Sequence, residues 1–343
     1  MSKVTILIPT AKRPEYLETA LRSVSEQTAL RDVVEVIVSE SAGDPRSGEV
    51  CKRFPHLPIQ YILRDPQLQM TEHFSALKKA EWKGDLAAIL HDDDWWAPDY
   101  LRQAIDTLSA HPRSSVYCCC SYYVAGESSM LACGGNLCFW FGADYPPIQP
   151  VWELSQEAVL LGTLLSTPVH YSAMVCRADA LLKASAVYDT ANWFDADRMI
   201  TYELSRFGTI AFSPLPYSFY RLHANQLTEH FALARRNERV AMTTEWIIER
   251  SGESWESAGD LFSERVKRCP PSARVALHLT AMEPWCLPVM ARHAIPSSKI
   301  AQLYRSLLRQ KPSLAKKMAK SISPPALWEG AKFLRRKIGK SAT

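Results

Sequence analysis

The sequence predicts an α/β fold, a mostly parallel sheet flanked by helices, and three observations point to it. Residues 4–9 (VTILIP) and 33–39 (VVEVIVS) are apolar, β-branched runs, the pattern of strands buried on both faces. Between them Pro14 opens a segment with Leu17, Ala20, Leu21 and Val24 at helical spacing. The same strand–helix alternation then repeats, which calls for right-handed crossovers and an open sheet.

The elements follow in order. Residues 59–63 are a short third strand, and Thr71 is read as the N-cap of a helix to Ala80. Residues 86–90 form a buried strand that stops at His91-Asp92-Asp93-Asp94. Pro98 starts the next helix, patterned at Leu101, Ala104, Ile105 and Leu108. Strands are expected over 116–124, 171–177, 210–212 and 217–222, and a helix over 199–206 with Gly208 as its C′ residue. From about Thr228 strand signals vanish, and helical segments are broken by Pro270-Pro271, Pro284, Pro296, Pro312 and Pro324-Pro325. The expected organisation is one domain over 1–227 and a helical C-terminal region over 228–343.

Composition narrows the class. With 343 residues, 47% hydrophobic and 22% charged, the chain is globular rather than disordered or fibrous. No cationic stretch followed by an apolar run opens it, and no run reaches the roughly 18–20 apolar residues of a membrane span. The reading is a soluble or peripheral protein. Nine cysteines, three of them consecutive (Cys118, Cys119, Cys120) and none in a CxxC pair, suit reduced thiols on a buried strand better than disulfides or zinc. The net charge of +4 is uneven: from Arg305 onward Lys and Arg outnumber acids 11 to one, so the remainder is net acidic.

Three consecutive carboxylates after an apolar strand repel one another, and a divalent hard cation is their natural partner. The alternative is a solvated acidic loop capping the helix after Pro98. Position favours a site, since open α/β sheets bind ligands beyond the carboxyl ends of their strands. Thr10 and Glu40 lie at two other such ends.

Five segments in order give this pattern a family likeness: VTILIPTAKRPEYLETALRSVSEQT, VEVIVSES, LAAILHDDDWWAPDYL, FDADRMITYELSRFGTIAF and FYRLHANQLT. Together they resemble the family 2 glycosyltransferases, inverting enzymes with the GT-A (Rossmann-like) fold, over about residues 4–228. The resemblance implies a divalent cation, Mn²⁺ or Mg²⁺, held by Asp94, with Asp92 sharing it or lying nearer a ribose. Asp93 belongs to the nucleotide-sugar site or turns into the fold. His223 is the third metal contact or a diphosphate donor, and Arg221 contacts phosphate or forms a structural ion pair. Pro9, Thr10 and Arg13 fall on the first loop of the nucleotide-sugar site, and Glu40 stands where the family has an Asp that hydrogen-bonds the base. Asp197 matches the general base, with Asp195 the alternative, and capping the following helix is the plain structural reading of Asp197. The chain departs from the family at Ala11 and Lys12, where an aromatic residue and Asn are usual, and in lacking a glycine near Gln69.

The function this implies is hexosyl or N-acetylhexosaminyl transfer from a nucleotide-sugar, a UDP-sugar for preference, to a hydroxyl of a glycan or lipid-linked acceptor in surface-polysaccharide assembly. Acceptor recognition is expected from residues 131–170, through Phe139, Trp140, Phe141, Tyr145 and Trp152, unless these aromatics only cover a sheet edge. The tail places Leu327, Trp328, Ala331, Leu334 and Ile338 on one face among Lys332, Arg335, Arg336 and Lys337. It reads as a membrane-surface helix on the inner face of the cell membrane, or as a solvated terminal helix. No nucleic-acid partner is expected. The alternatives are a sugar nucleotidyltransferase, which would want a glycine-rich first loop, and an inactive sugar-nucleotide or glycan-binding module.

Overall fold

The computed structural model describes residues 2–64, 67–68, 70–78, 80–125, 129–134, 150–165, 169–185, 195–223, 233–254, 257–261 and 264. Its strands are Val4–Thr10 (β1), Val33–Glu40 (β2), Ile59–Leu63 (β3), Leu86–Ile89 (β4), Trp95–Trp96 (β5), Ser114–Ala125 (β6), Ser129–Gly134 (β7), Trp152–Leu154 (β8), Met174–Arg177 (β9) and Thr209–Leu222 (β10). They join in the order β3-β2-β1-β4-β9-β6-β10-β5, with β7 on β6 and β8 on β10. The β1–β2, β2–β3, β1–β4 and β6–β10 pairs are parallel, while β9 runs antiparallel between β4 and β6. The sheet is therefore mixed. Its first half is the expected parallel α/β unit.

The flanking helices are Pro14–Ser25 (α1), Arg46–Lys52 (α2), Met70–Lys78 (α3), Tyr100–Ala110 (α4), Gln156–Leu165 (α5), Ala178–Ala184 (α6), Ala196–Ser205 (α7) and Leu233–Ser251 (α8). Every residue of β1 is buried, as its unbroken apolar run requires, and α1 buries Leu17, Ala20, Leu21 and Val24 against the sheet. Full burial of each such Leu or Val is worth about 1.5–3 kcal/mol. Cys118, Cys119 and Cys120 lie on β6, buried on both of its faces, with burial pushing the Cys118 and Cys119 thiols up. They are free thiols.

Several elements depart from the sequence reading. Of the strand expected over 171–177 only β9 is extended, since Tyr171–Ala173 is a 3₁₀ turn. The strands expected over 210–212 and 217–222 are one, β10, whose pairing with β6 slips on either side of Pro216. Proline has no N–H to give the ladder, so the register breaks there without ending the strand. The helix expected over 199–206 begins three residues earlier, at Ala196. α2, α5, α6, β5, β7 and β8 were not anticipated; most are too short for a period to show.

Gly208 is needed for a different reason than the one expected. Its φ is not in the left-handed region, but a Cβ there would press on the Arg113 carbonyl oxygen and lie 2.9 Å from Ser115 N. It is the passage of this turn against the start of β6 that excludes a side chain.

The chain divides into two compact units, Met1–Glu253 and Ser254–Thr343. α8, which the reading placed beyond a boundary at 227/228, lies in the first unit. Glu203 on α7 is buried and accepts from Arg250 of α8 at 2.6 Å, and Arg198 of α7 donates to Thr244 at 2.7 Å. Among the described residues no helix is long and apolar enough to cross a membrane. The basic tail, the proline-broken segments after residue 265, the change of character near Thr228 and the aromatics Phe139, Trp140, Phe141 and Tyr145 fall outside the described residues.

Replacing Gly208 by Ala forces the turn away from β6. We expect Gly208→Ala to lower unfolding stability by about 1–3 kcal/mol, measured by urea titration. A neutral substitution would mean that the turn yields freely.

Candidate active site

The carboxyl ends of β1, β2 and β4 lie side by side, with Thr10 paired to Glu40 across β1 and β2. β4 ends at Ile89, and the chain then turns through His91–Asp94 into β5, which pairs with the second half of β10 through Trp95–Phe219 and Trp96–Ser218. The acids are thus pinned between two strands of opposite direction. Trp96 adds a hydrogen bond from its indole N–H to the Ser172 carbonyl at 2.6 Å.

Each aspartate finds different donors. Asp92 accepts from the Thr10 hydroxyl at 2.7 Å and lies 3.5 Å from Arg13. Asp93 accepts from Arg13 at 2.9 Å and lies 3.1 Å from His223 Nε2. Asp94 accepts from the Ser172 hydroxyl at 2.6 Å and from the Arg221 backbone N–H at 3.0 Å. Asp92 and Asp94 are the buried members, and Asp93 is the one that keeps some exposure. Arg221 donates from its Nε to the Asp93 carbonyl at 2.8 Å, and its guanidinium lies 4.7 Å from both the Tyr16 and Trp95 rings. Pro9 is buried within β1, paired with Ser39.

Burial and the Asp93 charge push the Asp92 carboxyl up to about 7, and the same two causes hold Asp94 well above the carboxylate range. Burial also works to raise Asp93, but the His223 hydrogen bond and the Arg13 charge outweigh it, and its pKa falls. Three acids with such divided acidities form a site that a cation would unify. One atom each of His91, Asp93 and Asp94 lies within 4.8 Å of the others. His91 Nε2 is buried without a hydrogen-bond partner among the described residues, and burial lowers the ring's pKa, keeping it neutral and able to ligate. Oxygen donors with one imidazole fit Mn²⁺ or Mg²⁺.

This group differs from the expected Asp94, Asp92 and His223. Asp92 faces Thr10 and Arg13, His223 is joined to Asp93, and His91 takes part. The one available sequence signal for His91 was its position as the last residue before the acids. Ser172 gave no signal, because it arrives from the turn before β9.

Glu40 is fully buried, and its carboxylate accepts from the Ser47 hydroxyl at 2.6 Å, from the Ala42 N–H at 2.8 Å and from the Lys12 N–H at 3.3 Å. Lys12 has a φ of 56°, a left-handed conformation that costs a side-chain-bearing residue energy and that this contact helps to hold. The expectation of a carboxylate facing a nucleobase therefore meets a group engaged within the protein. It locks the first loop, from which Arg13 reaches the acids.

The two candidates for the base separate cleanly. Asp195 occupies the N-cap position of α7 and pairs with the buried Arg198 at 3.2 Å. Asp197, in the first turn, keeps a quarter of its side chain exposed. Burial, then the Asp195 charge, raise its pKa to about 7, against the lowering effect of the Tyr171 backbone N–H. Trp152, for which the sequence leaves acceptor contact and cover of a sheet edge both open, is buried in the core against Phe212, ring centroids 5.7 Å apart.

Residues 5–140 match the family described as Glycosyl transferase family 2. Among curated proteins none matches the chain. Among solved structures, S. aureus TarS 1–349 in complex with UDP-GlcNAc is 16% identical with a TM-score of 0.57, over 90% of this chain and 92% of that one. The mannosyltransferase PcManGT from Pyrobaculum calidifontis, in complex with GDP-Man and Mn²⁺, is 15% identical with a TM-score of 0.49, over 94% and 84%. The likeness to TarS shows the fold, a mixed, mostly parallel sheet of the GT-A type.

Asp195 and Asp197 should part in stability measurements. Asp195→Ala leaves the buried Arg198 charge without its carboxylate and is expected to cost about 3–5 kcal/mol. Asp197→Asn should leave the melting temperature unchanged or slightly higher, since it removes a carboxylate whose burial disfavours its charge. Equal destabilisation by both would assign Asp197 a structural role.

Proposed function

We propose, from the match of residues 5–140 to Glycosyl transferase family 2 and the geometry of the acidic sites, that this enzyme transfers a sugar, with inversion, from a nucleoside-diphosphate sugar to an acceptor hydroxyl. The observation that carries this reading is the pairing of two unlike acidic sites about one side chain. That side chain is Tyr220: the backbone N–H of the next residue, Arg221, donates to Asp94 at 3.0 Å, and His170, stacked on the Tyr220 ring at 4.1 Å, lies 3.9 Å from Asp197. An acid cluster suited to a cation and an accessible, high-pKa carboxylate thus approach the same residue from two elements. Inverting transfer needs that arrangement, a leaving group on one side of the anomeric carbon and a base on the other.

In this reading His91, Asp93 and Asp94 hold Mn²⁺ or Mg²⁺. When bound, the cation supplies charge stabilisation for the departing diphosphate. Arg13 and His223, both partly exposed at the rim of the cluster, orient the diphosphate, and Thr10 with Asp92 holds the first loop against the acids. Asp197 takes the acceptor hydroxyl's proton as the new bond from acceptor oxygen to anomeric carbon forms and the bond to the diphosphate breaks. A pKa of about 7 suits that task, since the group is ionised at working pH yet basic enough to accept a proton. The donor we propose is a UDP-sugar, the class bound in the structurally similar TarS complex. The acceptor is a glycan or lipid-linked hydroxyl, with the basic tail holding the enzyme at the cytoplasmic face of a membrane. The excess of 11 Lys and Arg over one acid supports that placement.

Two measurements test this reading. Mn²⁺ at about 100 times its Kd should stabilise the wild type by about 2.7 kcal/mol, seen as a rise in melting temperature that is lost in Asp94→Asn. Retention of the full shift by Asp94→Asn would remove the metal from this cluster. With a nucleotide-sugar chosen by thermal-shift screening, Asp197→Asn should leave donor affinity intact and lower turnover about 10²–10⁴-fold. In the wild type, log(kcat/KM) should fall with unit slope as pH drops below about 7, where Asp197 takes up a proton before reaction. A flat profile from pH 5 to 8 would assign the base elsewhere.

A further inference from the structure

One group of side chains beside Asp197 is left without a task in this chemistry. His170, on the turn before β9, stacks on Tyr220 of β10 with ring centroids 4.1 Å apart and meets Tyr123 of β6 edge-on at 5.7 Å. Tyr123 and Tyr220 are themselves register partners across β6 and β10. The imidazole is therefore fixed in plane and in rotation by rings on two strands. Its nitrogens face different groups. Nε2 is 2.8 Å from the Tyr123 hydroxyl, and Nδ1 is 3.9 Å from Asp197 Oδ2.

The two contacts are coupled by the imidazole tautomer. A neutral ring carries one N–H, and which nitrogen bears it is set by the partner of the other. Burial lowers the His170 pKa to about 4, so the ring is neutral near pH 7. A phenol is the better donor of the Tyr123–His170 pair, and its O–H on Nε2 leaves the ring proton on Nδ1, towards Asp197. Asp197 also accepts from the backbone N–H of the adjacent Tyr171. Residues 170–171 thus present a ring N–H and a peptide N–H to one carboxylate. The spacing of 3.9 Å is too long for a hydrogen bond, and such contacts close when substrate enters.

We propose that His170 is a positioning residue for Asp197: Tyr123 holds its imidazole as the Nδ1–H tautomer, and that N–H orients the Asp197 carboxylate towards the acceptor hydroxyl. The inference rests on the reading of Asp197 as the general base. His170 neither gains nor loses a proton in the cycle, because the acceptor's proton ends on Asp197 and leaves to solvent with product. Among the described residues, the other charged and titratable groups that act on this pair are Asp195 on α7, His91 after β4, and Asp93 and Asp94, which act on Tyr220.

The tautomer can be read without any substrate. In the full chain labelled with ¹⁵N-histidine, His170 at pH 7 should show a protonated Nδ1 and an unprotonated Nε2, and Tyr123→Phe should shift it towards Nε2–H. A wild-type ring protonated on Nε2 overturns the proposal. Kinetics add a second arm, run with UDP-GlcNAc and Mn²⁺ by release of UDP. His170→Asn, whose amide N–H replaces Nδ1–H, should keep turnover within about threefold of wild type. His170→Gln and His170→Ala should lose about 10-fold or more in kcat with KM for the donor unchanged, the loss expected of a misoriented base. Equal activity of the Asn and Gln variants also overturns it, as does an unchanged kcat in His170→Ala. Asp197→Asn separates the two readings. If it is as active as wild type, the base assignment fails; if it is inactive while the His170 ring carries its proton on Nε2, only the positioning role fails.

Discussion

Three neighbouring carboxylates taken out of water beyond the carboxyl end of a central strand are the constraint on which the rest of this site depends. Like charges so placed cannot all remain ionised in a low-dielectric setting unless each has its own donors or shares a cation. Here the donors come from three separate stretches of chain: Thr10 and Arg13 at and after the end of β1, Ser172 before β9, and the Arg221 backbone with His223 at the end of β10. No two of these stretches are adjacent in sequence. The acid cluster is therefore also a clamp that sets the first loop, the turn into β9 and the end of β10 against one another.

Much of the less expected architecture follows from meeting that demand. β9 enters antiparallel between β4 and β6, which brings Ser172 beside Asp94 and the neighbouring His170 beside Asp197. The slip about Pro216 lets a single long strand pair with β8 at one end and with β5 at the other. Its second half then carries Tyr220, Arg221 and His223 past both acidic sites. Glu40 holds the first loop by accepting from Lys12 and Ser47, so that Arg13 is presented to the acids from a fixed backbone.

The two acidic sites are built on opposite electrostatic plans. At Asp92–Asp94 several carboxylates are crowded together, and their unequal acidities follow from unequal numbers of donors. At α7 one carboxylate is neutralised by a buried arginine, leaving its neighbour Asp197 exposed in part and high in pKa. Asp195 thereby acts on Asp197 as a fixed negative charge. A pair of acids two residues apart has been divided into a structural member and a chemically available one.

The sequence by itself determined the parallel half of the sheet, the place where β4 gives way to the acids, and the segments on which the functional side chains lie. Burial on both faces writes a continuous apolar run, and an amphipathic helix writes a 3.6-residue period; both are local signals. The family likeness ranked Asp197 above Asp195 with the helix beginning after it, whereas the structure places Asp197 in the first turn of α7. Only the tertiary structure decided which acids are buried, that His91 joins Asp93 and Asp94, that Glu40 is engaged within the protein, and that Trp152 belongs to the core. Apart from His91, which precedes Asp93 by two residues, those outcomes depend on partners distant in sequence, from 7 residues for Ser47 and Glu40 to 130 for His223 and Asp93. Hydrogen bonds of that kind leave no period in the sequence, because what selects the partner is the order in which the strands come together.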